Sequence, residues 1–302
     1  MARLSKILFA ATLIAAPTTV LADGDPPADG TAGGGGDGTA GGAPAGGDGT
    51  ATAPATGDAG AMMSAWSKSV IDRPLTVLKG KIGAEADFFI AHASITILGV
   101  TASATSEGLG VGAGYGVSDK LEVGGSYAFA LHDFEIKGPL TLYGAFQLAH
   151  SDKLDVAAGA DIVIRLGDTT TETIEAGLGV RYKVTPKIAL FTGSPFAPGP
   201  VGQHLKIGLQ SGAAKTFDIP VGVGLQATPE LFAYLSTNIA TILLSDPGSG
   251  KRVTSIADFT PLTVGGWFNV NKNIDVGANI SFLDVQHAGD FYNITLGARY
   301  FN

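Results

Sequence analysis

From Lys79 onward, apolar residues fall on every second position, the period of a β-strand with one buried or lipid-covered face. The alternation is cleanest in five stretches. In 153–166, Leu154, Val156, Ala158, Ala160, Ile162 and Ile164 oppose Asp155, Gly159, Asp161 and Arg165. In 172–184, Ile174, Ala176, Leu178, Val180 and Tyr182 oppose Glu175, Gly177, Gly179, Arg181 and Lys183. The stretches 107–117, 273–284 and 290–301 read the same way. Between such runs a short polar pattern recurs. Val117-Ser118-Asp119-Lys120-Leu121-Glu122-Val123 returns as His150-Ser151-Asp152-Lys153-Leu154-Asp155-Val156 and as Val270-Asn271-Lys272-Asn273-Ile274-Asp275-Val276. Looser copies are Val184-Thr185-Pro186-Lys187-Ile188 and Ala227-Thr228-Pro229-Glu230-Leu231. A tight polar turn between alternating runs is a β-hairpin signal, used here five times.

The pattern predicts twelve strands, over 80–91, 107–117, 120–132, 139–150, 153–166, 172–184, 187–194, 216–227, 230–242, 259–270, 273–284 and 290–301. A soluble sandwich also has strands with one apolar face. Three features favour an antiparallel transmembrane β-barrel instead. The strands are long enough to cross a bilayer when tilted. Tight turns alternate with longer polar loops at His132–Pro139, Gly167–Thr171, Gly193–Lys215, Ser245–Asp258 and Gln286–Asp290, the asymmetry of outer-membrane barrels. The strand count is even. A closed barrel is also the one sheet that pairs every backbone group in lipid. The five turns then mark the periplasmic edge, together with both termini.

Composition agrees. Only 15% of the 302 residues are charged and 45% are apolar, yet past the first two dozen residues no apolar run is long enough for a spanning helix. Residues 1–22 read as a secretory signal, with basic Arg3 and Lys6, an apolar run Ile7–Ala16 and a Val20-Leu21-Ala22 cleavage site. Residues 23–61 form a Gly/Ala/Asp/Thr/Pro tract with too few bulky apolar side chains to offset the cost of ordering, so a disordered linker is expected in the periplasm. Its Asp-Gly-Thr triplets lack the carboxylate spacing of a calcium loop. Residues 62–78 read as a short helix and lead-in, the helix falling within Ala59–Val70, and 79–302 as the barrel. There is no cysteine, hence no disulfide or thiolate metal site, and a net charge of −8 with no basic patch argues against nucleic acid.

The C-terminal stretch Tyr292-Asn293-Ile294-Thr295-Leu296-Gly297-Ala298-Arg299-Tyr300-Phe301-Asn302 resembles the closing strand of Gram-negative outer-membrane β-barrel proteins, the porin-like class. That family's last strand alternates apolar residues and ends in an aromatic. Here Tyr300 and Phe301 precede Asn302, which departs from the commonest ending. The resemblance covers roughly residues 75–302 and implies insertion among outer-membrane lipids, with the terminal strand read by the barrel-assembly machinery.

Charges facing lipid at mid-depth would cost about 2–4 kcal/mol each for Arg or Lys. Parity therefore places Glu85, Asp87, Glu122, Asp155, Asp161, Arg165, Glu175, Arg181, Asp275 and Arg299 on the inward, lumen-lining face. Among these, Glu122, Asp155 and Asp275 each follow a turn, which points to an anionic ring at the periplasmic mouth. Small residues on this face leave room for water, whereas Phe89, Tyr143, Phe232, Tyr234 and Trp267 also fall inward and would constrict it. The expected function is a passive channel or uptake pore for small solutes. The alternative is a structural or adhesive barrel without conductance; an autotransporter-like translocator or an outer-membrane hydrolase is less favoured. No catalytic, cofactor or metal motif accompanies the histidines, of which His287 shares a loop with Asp290 and His132 with Asp133.

Overall fold

The computed structural model describes residues 66–97, 100–131, 138–166, 170–193, 203–209, 215–244, 253–255 and 260–302. The signal, the linker and the first residues of the lead-in lie outside this set, as do most of the residues of the longer loops. The described strands are β1 (Ile82–Ile97), β2 (Val100–Gly116), β3 (Leu121–Ala130), β4 (Pro139–His150), β5 (Leu154–Arg165), β6 (Thr171–Lys183), β7 (Ile188–Phe191), β8 (Gln203–Gly208), β9 (Lys215–Gln226), β10 (Leu231–Leu243), β11 (Val253–Ser255), β12 (Leu262–Asn271), β13 (Ile274–Phe282) and β14 (Phe291–Phe301). They form one antiparallel sheet that closes on itself, with β14 against β1 and β9 against β10. The fourteen segments make twelve staves. β7 and β8 share the place between β6 and β9, and β11 and β12 share the flank of β10.

Each tight turn is locked by the same contact, which explains the repeat. Ser118 Oγ accepts from the backbone N–H of Lys120 and Leu121, and Ser151 Oγ from those of Lys153 and Leu154. Thr185 and Thr228 do the same with their hydroxyls, and Asn271 Oδ1 accepts from Asn273 N–H. One short polar side chain in that slot satisfies the backbone donors of the turn.

The register sets the two faces. Leu142, Leu178, Leu235, Phe268, Leu296 and Tyr300 stand outward and remain 43–53% exposed. Ala145, Ala157, Ala189, Phe232, Tyr234 and Trp267 point inward and are buried. An exposed apolar belt around a closed sheet is the architecture of a transmembrane β-barrel. No helix among the described residues is long and apolar enough to cross a membrane.

Three sequence expectations need correction. β1 and β2 do not stop near 91 and 107. Their ladder runs on to Ile97 opposite Val100; there Ala93 and Ile95 keep the inward parity and polar Ser94 and Thr96 the outward one, the reverse of a lipid-facing stripe. The stretch Gly193–Lys215, expected as a loop, contains β8, which is too short to show its period; Ser245–Asp258 likewise contains β11. Finally, Trp66–Val70 is not α-helical. A single 3-10 turn, Val70–Asp72, stands in its place.

Candidate functional site

The segment Trp66–Leu78 lies inside the turn end of the barrel. Its first described residues sit there, since Lys68 Nζ lies 3.6 Å from Glu230 of a tight turn and Trp66 stacks on Phe301 at 4.3 Å. It leaves by the same end, turning at Gly80, whose φ of 71° is left-handed, into β1. Between these points it crosses the lumen, and its contacts run nearly all the way round the wall. Val70 and Ile71 pack on Ala189, Phe232, Tyr234 and Trp267, with Phe191 beside them. Gly116 makes room at the exit, because a Cβ there would sit 2.1 Å from the Leu78 carbonyl oxygen.

The polar contacts come from the turn-end residues of the wall. Gln226 Oε1 accepts from Val70 N–H at 2.9 Å, and Gln147 Oε1 from Leu75 N–H at 2.9 Å. Glu122 accepts from Val77 N–H at 2.8 Å and from the Tyr143 hydroxyl at 2.7 Å. Arg181 donates to the carbonyls of Val70 and Arg73 while its Nε and Nη2 hold Asp155 at 3.1 and 2.8 Å. Arg73 forms a fork on Asp275, which also accepts from Asn269. Lys183 pairs with Asp72 at 3.1 Å. Most of these groups are buried, and the backbone of the segment would otherwise have lost its water without replacement.

This arrangement corrects the anionic ring. Glu122, Asp155 and Asp275 do stand on the inward face beside their turns, but none is an open carboxylate at a mouth. Asp155 and Asp275 are 0% exposed and Glu122 is 4% exposed. Two are paired with arginine, and the third is satisfied by backbone and a phenol. The other expected lumen residues all point inward by register. Glu85, Asp87 and Arg299 form one patch on β1 and β14, with Arg299 Nε 3.6 Å from Glu85 and its guanidinium 3.8 Å above the Trp267 ring. Asp161, Arg165 and Glu175 lie on β5 and β6 towards the loop end; Glu175 pairs with Lys206 at 3.4 Å. A cavity of about 190 Å³ remains between segment and wall, lined by Ile71, Arg73, Glu85, Tyr143 and Arg299 among others.

The inward glycines do not simply leave space for water. Several lie directly opposite a ring: Gly277 opposite Trp267, Gly222 opposite Phe191, and Gly108 opposite Phe89. A Cβ on any of these three would fall within 2.1–2.5 Å of ring carbon. Phe89, Phe232, Tyr234 and Trp267 therefore lie flat on the wall and are themselves buried.

Sequence reasoning missed Arg73, Gln147, Gln226 and Asn269, and gave Lys183 a polar face but no role. Three were within reach. Lys183, Gln226 and Asn269 each stand two residues before a turn slot and cross-strand from the inward residue after it. Gln147 shares the inward parity of Tyr143 and Ala145, but a β-bulge between Gln147 and Ala149 sets it four residues before the turn slot at Ser151. Arg73 carries no periodic signal at all.

The histidines fall differently from expectation. His150 Nδ1 bonds Asp155 at the rim of the site. His92 Nδ1 lies 2.9 Å from Thr105 Oγ1. His132, Asp133 and the side chain of His204 lie outside the described residues. His287 pairs with Asp284 at 2.8 Å rather than with Asp290. Both groups are on the exposed loop before β14. Hydrogen bonding to Asp284 raises the His287 pKa above its ordinary value, and the same bond lowers that of Asp284. In a pH titration followed by NMR, His287 should therefore stay protonated to higher pH than a free imidazole. Asp284→Asn should bring its midpoint down, and an unchanged midpoint would refute the pairing.

No protein-family model matches the chain, and no curated protein matches it. Among solved structures it is similar to a KdgM porin, with 6% identity and a TM-score of 0.45, over 71% of this chain and 98% of that one. It is similar to a NanC porin at 8% identity and a TM-score of 0.46, over 71% and 98%. It is also similar to an outer membrane channel from Pseudomonas putida F1 at 12% identity and a TM-score of 0.45, over 74% and 96%. At such identity and superposition the likeness says nothing about what passes through the barrel.

Proposed function

We propose that this chain is an outer-membrane β-barrel that acts as a passive channel for small solutes, with its turn end facing the periplasm. The observation that carries this reading is the pairing of two opposite surfaces on one closed sheet. The outside is an apolar belt suited to lipid, and the inside carries charges of both signs on β1, β5, β6, β8 and β14. Charges on an inner wall are inexpensive only where water or counter-charges reach them. The mixture of signs favours small polar solutes over a strong preference for one ion. In this reading the linker 23–61 lies in the periplasm, and the C-terminal strand, sealed against β1, is the part offered to the assembly machinery.

One observation favours the non-conducting alternative: Trp66–Leu78 fills the turn end and is tightly held. An autotransporter-like translocator is disfavoured, because the described segment Trp66–Leu78 lies wholly at the turn end, from Trp66 on Phe301 to Leu78 beside Gly116, and does not thread the barrel. Planar-bilayer recording of refolded protein tests the proposal. Discrete conductance steps of small amplitude are expected from the full chain. Absence of steps from the full chain and from the Arg73→Ala variant alike would overturn the channel.

A further inference from the structure

We infer that Trp66–Leu78 is a latched stopper, with the Arg73–Asp275 ion pair as the latch, and that its release is what opens the lumen; the inference rests on the channel reading.

The staves and the segment are held by different means. Every stave is joined to its neighbours by a ladder of backbone hydrogen bonds. The segment has backbone pairing to the wall only where it leaves, at Lys79 and Gly80 opposite Gly116. From Val70 to Val77 it is held by side chains of the wall reaching its backbone, by the Arg73–Asp275 and Asp72–Lys183 ion pairs, and by a small apolar contact at Val70 and Ile71. Such an element can leave without opening the barrel, because the ladder does not pass through it. The exit offers a pivot. Gly80 is left-handed and has nothing within 4 Å of where a Cβ would stand.

Arg73 concentrates the hold. Its fork binds Asp275, its Nε donates to Ser67 O at 2.7 Å, and its Nη2 to Lys68 O at 3.2 Å. Its guanidinium also lies about 5.5 Å from the Trp66 ring and 5.4 Å from that of Phe301. One side chain thus folds the segment on itself and ties it to β13 and β14. Asp275 is fully buried, so losing Arg73 would leave its charge without its main partner. Seating the segment and satisfying Asp275 are therefore one event.

The chain has no cysteine, so a single introduced thiol reports cleanly. Ile71, 0% exposed in the seated segment, is the site for it. The Ile71→Cys protein, reconstituted in lipid, should resist a charged, membrane-impermeant maleimide. Adding Arg73→Ala, or the milder Asp275→Asn, should speed labelling by roughly tenfold or more and enlarge the conductance steps. Heat-modifiable gel mobility confirms that each variant remains a folded barrel. Rapid labelling of Ile71→Cys alone would overturn the stopper. Unchanged labelling in both folded variants would overturn the latch. Faster labelling with unchanged steps would overturn the claim that release opens the lumen. Faster labelling with every protein silent in the bilayer would instead overturn the channel reading and leave the latch standing.

Discussion

Arg181→Met should destabilise the barrel by about 3–5 kcal/mol, the cost of stranding a buried charge. Asp155 is completely buried and receives two donors of Arg181 along with Nδ1 of His150. His150 is 35% exposed at the rim and supplies a formal charge only when protonated. Without the guanidinium, the carboxylate loses its main partner, and the carbonyls of Val70 and Arg73 lose a donor. Removing both charges tests whether the loss comes from the stranded ion. Asp155→Leu combined with Arg181→Met should recover most of it, leaving about 1–2 kcal/mol for the orphaned carbonyls. Arg181→Lys should fall between, since an ammonium keeps the charge but not the planar fork that reaches three partners. Denaturant unfolding followed by tryptophan fluorescence reads this directly, because of the two tryptophans Trp66 belongs to the segment and Trp267 packs in the cluster against it. A single-variant loss below about 1 kcal/mol, or a double variant worse than the single, would refute the account.

What could be read beforehand divides along physical lines. Period-2 alternation is imposed by lipid on one side, so the staves that cross the belt were legible: each of the twelve expected strands has its counterpart in the barrel. Above the belt that pressure ends. In the extensions through Ala93–Ile97 and Val100–Thr105 the alternation puts Ser and Thr, not apolar residues, on the outward parity, and β8 and β11 are too short to show a period. The inward direction of Glu122, Asp155, Asp275 and Arg299 is a reading from parity, set by the ladder register. Their partners did not follow, because parity gives direction and not neighbours. Nothing local in Val70-Ile71-Asp72-Arg73-Pro74 says that it lies inside a ring closed by residues two hundred positions away. Strand parity reads the acids as a mouth because it assigns 62–78 only a short helix and lead-in, with no place inside the ring. The channel reading itself therefore now turns on a segment that the strand pattern does not include.

Trp267→Ala should cost about 3–5 kcal/mol, the range for deleting a large buried aromatic. The ring is 1% exposed, with the Arg299 guanidinium 3.8 Å from its centre, Gly277 directly across the ladder and the Val70–Ile71 pad against the same cluster. Loss of the ring removes a cation–π contact as well as apolar burial. Gly277→Ala should also destabilise, for the complementary reason. Its Cβ would lie 2.5 Å from Trp267 Cε3 and 2.6 Å from the Gly266 carbonyl oxygen, so the ring must lift off the wall. The two changes should then be strongly less than additive, by about 1–2 kcal/mol. Once the ring is gone the new methyl meets only the backbone oxygen and fills part of the hole. Some cost must remain, because the Gly266 carbonyl cannot move without disturbing its own ladder. Trp267→Phe, which keeps a smaller ring, should recover part of the stability in wild-type Gly277 but not in Gly277→Ala. Strictly additive losses would mean that ring and glycine are independent. The many inward glycines would then need another reason than the rings laid over them.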